Sequence, residues 1–152
     1  MIELREITEE NFDECLELSV SDDQEDFVDG TVYALAEAWL HRDEARPLAI
    51  YSGDEMVGFL MLNVGDRDDG GGKGCELWRF MIDQKHQGKG YGRAALEAVI
   101  GHIRSAYDPD EIVTSVLPGN YAAEKLYESL GFARTGEVED DGEAWMALGL
   151  RG

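Results

Sequence analysis

Residues 78–93 read WRFMIDQKHQGKGYGR, and the fold turns on this stretch. An apolar strand runs to Ile82 and is followed by a turn with glycine at three alternate positions, Gly88, Gly90 and Gly92. A helical pattern begins at once and runs from Gly90 to Tyr107, carrying Ala94, Leu96, Val99, Ile100 and Ile103. Glycine lets backbone approach a ligand closely and tolerates positive φ. The first N–H groups of a helix have no partner inside it, and the helix dipole favours negative charge there. Strand, glycine turn and helix start in that order make an anion site for phosphate oxygens. Lys85, Lys89 and Arg93 add positive charge around it.

The neighbouring residues test which phosphate ligand is meant. Gly90-Tyr91-Gly92-Arg93-Ala94-Ala95 satisfies the dinucleotide pattern Gly-x-Gly-x-x-Ala. A dinucleotide fold places an acid at the end of the next strand to hold ribose. Here Asp110 and Glu111 precede that strand and Leu117-Pro118 follow it, so this reading is set aside. The stretch Gly65–Gly74, GDRDDGGGKG, has no apolar residue and reads as a surface loop between strands. A nucleoside-triphosphate loop would need glycine at Arg67 and a hydroxyl residue at Gly74.

Outward from this centre the chain alternates strand and helix patterns. Ile2, Leu4 and Ile7 read as a first strand. Thr8 reads as an N-cap before Phe12, Cys15, Leu16 and Leu18. A second helix is predicted from Gln24 to His41, with Phe27, Val28, Val32, Leu35, Ala36 and Leu40 on its apolar face. Leu48–Tyr51 and Met56–Val64 read as a hairpin around Ser52-Gly53-Asp54-Glu55. Cys75–Ile82 and Glu111–Val116 read as strands and Asn120–Leu130 as a helix. Phe132–Val138 and Ala144–Leu148 read as two closing strands. Trp39 and Trp145 are expected to pack in the core. The pattern predicts one α/β (α+β) domain over residues 1–152, with about four helices on a mixed, mostly antiparallel sheet.

Composition narrows the partners. The 152 residues carry 33 acids against 13 bases, a formal charge of −20, and 43% are hydrophobic, enough for a folded core. That charge argues against nucleic acid and against an anionic membrane surface, and it attracts cations. The charge is uneven: residues 1–30 hold twelve acids and one base, whereas residues 73–104 hold six bases and three acids. No apolar run approaches the ~20 residues of a membrane span, and MIELREITEENF lacks a secretory pattern. Cys15 and Cys75 do not make a disulfide framework, so a reducing, cytoplasmic setting is expected. His41, His86 and His102 do not join the cysteines at ligand spacing, and no metal site is expected.

The residues resemble a known family. Gln87-Gly88-Lys89-Gly90-Tyr91-Gly92 matches the Arg/Gln-x-x-Gly-x-Gly/Ala acyl-CoA signature of the GNAT N-acetyltransferases. Asn120 to Phe132 is similar to the family's second motif, Asn-x-x-Ala-x-x-x-Tyr-x-x-x-Gly-Phe. The order of elements resembles a GNAT domain over essentially the whole chain. Within the superfamily the chain resembles bacterial spermine/spermidine (diamine) acetyltransferases at Val20–Val28, at Leu35-Ala36-Glu37-Ala38 and at Met56-Val57-Gly58-Phe59.

The resemblance implies acetyl-CoA as cosubstrate, lying where the parallel strands Cys75–Ile82 and Glu111–Val116 splay apart. Backbone groups of Phe80, Met81 and Ile82 would meet the pantetheine arm. Gln87, Gly88, Lys89, Gly90, Tyr91, Gly92 and Arg93 would hold the pyrophosphate, and Asn120 would bind the cofactor arm. Tyr127 matches the family's general acid. For a base, Glu76 lies on the period-two face expected to be shared with Trp78 and Phe80; a solvated strand-end acid is the alternative. A small cationic amine would meet the first two helices, where Asp22, Asp23, Glu25, Asp26, Asp29 and Glu37 collect, with Tyr33 and Trp78 as aromatic faces. Other amine acceptors (a protein N-terminus, a lysine, an aminoglycoside), a CoA sensor without turnover, and a homodimer stay open.

Overall fold

A computed structural model describes residues 1–20, 30–66 and 73–151. Seven strands form one sheet: β1 (Ile2–Glu6), β2 (Ala45–Ser52), β3 (Glu55–Asp66), β4 (Lys73–Ile82), β5 (Glu111–Val116), β6 (Ala133–Val138) and β7 (Ala144–Gly149). Their order is β1-β2-β3-β4-β5-β7-β6. All neighbours are antiparallel except β4 and β5, which are parallel and share one rung, Glu76 opposite Val113. Past that rung β4 continues to Ile82 and β5 to Val116 without pairing to each other, so the predicted splay is present.

The helices cover both faces. Helices α1 (Phe12–Leu16) and α2 (Thr31–Leu40) lie on one side, over Ala45, Ala49, Phe59, Met61 and Met81. Helices α3 (Tyr91–Ala106) and α4 (Tyr121–Ser129) lie on the other, over Leu60, Leu62, Cys75, Leu77 and Ile112. Helix α3 buries Ala95, Leu96, Val99 and Ile103, the single stripe its sequence predicts. At the predicted loop, β3 and β4 run inward as far as the Asp66–Lys73 pair; residues 67–72 lie outside the described part.

Three local expectations are corrected. Helix α2 turns Thr31, Ala34 and Ala38 inward, while Val32 is 64% and Leu40 74% exposed. The helix is apolar nearly all round, so periodicity does not choose a face. The small face wins because Ala34 and Ala38 let the helix settle closely on Ala45 and Ala49 of β2. Trp39, expected in the core, is 68% exposed on the opposite side. Helix α1 begins after Asn11 rather than Thr8, because Thr8 and Asn11 form a turn of their own: the Thr8 N–H donates to Asn11 Oδ1 at 2.8 Å.

The third correction moves site residues. Met61 pairs with Arg79 and Leu62 with Leu77, which leaves Trp78 as the extra residue of a β-bulge. Glu76 and Trp78 stay on the α1–α2 side, but Phe80 turns to the α3–α4 side. The face expected for Glu76, Trp78 and Phe80 together is therefore divided between the two sides of the sheet.

Candidate active site

The splay opens a cavity of about 300 Å³ beside the end of β4. Phe80, Met81 and Ile82 line it from the strand, Gln87 to Gly92 from the glycine turn except Lys89, and Asn120, Ala123 and Leu126 from α4. Gly88 and Gly90 take positive φ, +78° and +82°, with open space where a side chain would stand. Gly90 is the N-cap of α3, so the first amides of that helix face outward without a side-chain cap. Gly92 packs closely, since a Cβ there would meet Leu126 at 3.3 Å.

The polar members of the signature divide. The Gln87 side-chain amide donates to the Ile82 carbonyl at 2.9 Å and ties the turn to the strand. Asn120 Oδ1 accepts from the Ala123 N–H at 3.4 Å and caps α4. Arg93 turns away, donating to Glu97 at 3.1 Å and to Ser129 at 2.8 Å, and Lys89 is exposed beside the cavity. The residue reading missed His86 and Val20, which also line the cavity. His86 is buried against Tyr91, ring centroids 6.1 Å apart, and its Nδ1 has no partner among the described residues. Its place beside the turn in sequence was the available signal.

Tyr127 is buried under the sheet at the level where β4 and β5 part. Thr114 of β5 lies beside its hydroxyl. Thr114 Oγ1 donates to the Leu77 carbonyl at 2.9 Å. Burial pushes the Tyr127 phenol up to about 12. The residue therefore holds its proton at any physiological pH.

A second, larger cavity of about 770 Å³ lies on the other side of the bulge. Glu76, Trp78 and Arg79 line it from β4, and Asn63 from β3. Glu139, Asp140, Asp141 and Glu143 enter from the turn between β6 and β7, and Trp145 from β7. Trp145 Nε1 donates to Glu139 at 2.7 Å and Ser115 Oγ to Glu143 at 3.1 Å. Burial raises the Glu76 carboxyl above the ordinary range; Arg79 and a hydrogen bond with Asn63 oppose the shift, and Glu143 adds to it. Burial also raises Glu143. Desolvation disfavours the charged form, and a like charge nearby does the same.

The predicted amine-side residues are only partly brought together. Trp78 lines the acidic cavity, with His41 edge-on at 5.8 Å and the Arg79 guanidinium 5.2 Å from its ring centre. Glu37 instead pairs with Arg79 at 2.5 Å, so its carboxylate already has a cation. Tyr33 is 58% exposed and lines neither cavity. Asp22, Asp23, Glu25, Asp26 and Asp29 lie outside the described residues. The four acids of the β6–β7 turn were not singled out from sequence, although the run Glu137–Glu143 is rich in acid and glycine.

Comparison with known proteins places this geometry. The profile of the acetyltransferase (GNAT) family matches residues 4–132. A spermine/spermidine N(1)-acetyltransferase of Bacillus subtilis is 32% identical over 151 residues, 98% of this chain and 99% of the relative. A solved aminoglycoside acetyltransferase in complex with coenzyme A superposes with TM-score 0.78 at 21% identity, covering 99% of this chain and 95% of that one. A Vibrio cholerae spermidine N-acetyltransferase in complex with CoA and spermine superposes with TM-score 0.74 at 16% identity, over 97% and 94%. Among the described residues no helix is long and apolar enough to cross a membrane. The chain belongs to the GNAT acetyltransferase family and is an acetyl-CoA-dependent N-acetyltransferase.

Proposed function

We propose that this chain acetylates a primary amine of a small polyamine such as spermidine or spermine. The observation that carries this reading is the cavity in which Glu76, Glu139, Asp140, Asp141 and Glu143 converge between Trp78 and Trp145. Carboxylates attract a multiply charged cation, and indole faces cover its methylene stems and ammonium groups. The full-length similarity to a spermine/spermidine acetyltransferase supports the same acceptor.

The residues of the other cavity fit acetyl-CoA. Phe80, Met81, Ile82, Ala123 and Leu126 suit an apolar arm, and the amides of Gly88 to Arg93 suit a pyrophosphate. Open space beside Gly88 and Gly90, and the Nδ1 of buried His86, which has no partner among the described residues, leave room and a polar group for a ligand there. Bound acetyl-CoA supplies an activated thioester carbonyl. Gln87 braces the turn and Asn120 the start of α4.

Consecutive residues of β4 line the two cavities: Trp78 and Arg79 one, Phe80 to Ile82 the other. An amine entering from the acidic side arrives protonated. Glu76, with its raised proton affinity, takes a proton from the ammonium directly or through water. Tyr127, protonated at neutral pH, would give the departing thiolate its proton and be restored by the second proton that the amine nitrogen loses as the amide forms.

Thiol release from acetyl-CoA tests the reading, with spermidine, spermine, putrescine, a lysine peptide and an aminoglycoside as acceptors. Rapid release with a polyamine is expected. Release with only the peptide or the aminoglycoside would overturn the polyamine assignment. Tight CoA binding with no release for any amine would make the protein a CoA sensor.

A further inference from the structure

Val20 forms part of the cofactor cavity, yet it belongs to neither β4 nor the glycine turn. It lies past the end of α1, in a stretch without helix or strand. Two residues at the end of β4 hold that stretch in place. Asp83 is 2% exposed; its Oδ1 accepts from the Ser19 N–H at 2.9 Å and its Oδ2 from the Lys85 N–H at 3.2 Å. The Gln84 N–H donates to the Ser19 carbonyl at 2.7 Å, and Gln84 Nε2 donates to Ser19 Oγ at 3.0 Å. Asp83 is itself rooted in the sheet, since its N–H donates to the Val57 carbonyl at 2.8 Å.

A carboxylate buried this fully is unfavourable unless its oxygens are satisfied. Both hydrogen-bond partners of the Asp83 carboxylate are backbone amides, one in each of two segments that lead to the cavity. Lys85 starts the turn that leads to Gly88–Gly92, and Ser19 precedes Val20. An arrangement of that kind fixes spacing, because a backbone amide has none of the reach of a side chain.

We propose that Asp83 is a positioning residue for acetyl-CoA: its carboxylate locks the Ser19–Val20 segment against the Gln84–His86 turn and sets the width of the cavity between them. The proposal rests on that cavity being the cofactor site and is independent of which amine is acetylated.

The test is equilibrium titration of the full chain with coenzyme A, together with steady-state kinetics and thermal unfolding. In Asp83→Asn the amide oxygen still accepts but the amide nitrogen does not, so one of the two backbone N–H groups loses its partner. Coenzyme A binding should weaken about tenfold, the KM for acetyl-CoA should rise by a similar factor, and kcat should stay within about twofold. Val20→Ala, which leaves the Asp83 bonds intact, should reproduce the same split and keeps the proposal testable if Asp83→Asn fails to fold. Unchanged coenzyme A affinity in either folded variant would overturn it. So would an equal loss in kcat and in both KM values with a lowered Tm, which is the mark of a structural role alone. Failure of the unaltered chain to bind coenzyme A would instead overturn the cavity assignment itself.

Discussion

The Tyr127 phenol of α4 lies beside Thr114, the residue of β5 immediately past the rung that β5 shares with β4. Thr114 passes its own proton to the Leu77 carbonyl of β4. The buried phenol thus sits at the point where the two strands separate, and burial raises further the hold it already has on its proton.

Tyr127→Phe removes the proton while keeping the ring that packs on Phe132, 5.5 Å between centroids. The expected result is a fall in kcat of at least about a hundredfold with the KM for acetyl-CoA nearly unchanged. Loss of the buried hydroxyl should change stability by only about 1 kcal/mol, measured by urea unfolding.

Glu76→Gln tests the base. The raised proton affinity of Glu76 places the acid limb of the kcat/KM profile above the ordinary carboxylate range, with activity rising as the group deprotonates. The variant should lose roughly a hundredfold in kcat and should lose that limb. A pH–rate profile of both proteins from pH 5 to pH 9 makes the comparison.

In the proposed function the acids of the β6–β7 turn draw the amine in by long-range attraction. Asp140→Asn with Asp141→Asn should raise the KM for spermidine severalfold and leave the KM for acetyl-CoA within about twofold. Added salt should raise the spermidine KM of the unaltered protein, because exposed charges are screened over about 8–10 Å at physiological ionic strength. The double variant should respond to salt less.

Glu37 supports Arg79 across an ion pair whose side chains are each 21% exposed. Glu37→Gln should lower stability by about 1–2 kcal/mol, between the values for exposed and buried pairs. Its effect on the spermidine KM should be within about twofold, which separates a supporting carboxylate from a substrate ligand.

Burial raises Cys15 to about 11, Cys75 to about 12 and Tyr127 to about 12. Each group gives up its proton more easily in the unfolded chain. The stability tied to these protons is whole below about pH 9 and is lost as pH rises through 11 and 12. Urea midpoints measured between pH 7 and pH 11 should stay level and then decline.

Much of the fold was legible because its signals are local. The glycine turn before α3 appears in sequence as Gly88, Gly90 and Gly92, and two of the three do take positive φ. The stripe of α3 was readable because its other face is polar. The face of α2 was not, because Val32, Tyr33, Trp39 and Leu40 are as apolar as the residues it buries. The bulge at Trp78 left no mark in the sequence, since every residue around it suits a strand; it arises from the match to β3.

By itself the sequence determined the family, the glycine turn before α3 and the tyrosine on α4, because each depends on residues a few positions apart whose geometry the backbone dictates. Tertiary structure alone decided what those parts face. It set Thr114 on Leu77 across 37 residues, paired Glu37 with Arg79 across 42, and clasped Ser19 to Asp83 across 64. It also brought the β6–β7 acids opposite Glu76. Such contacts depend on strand order and register, which follow from packing the whole sheet between its helices and are written in no single stretch of chain.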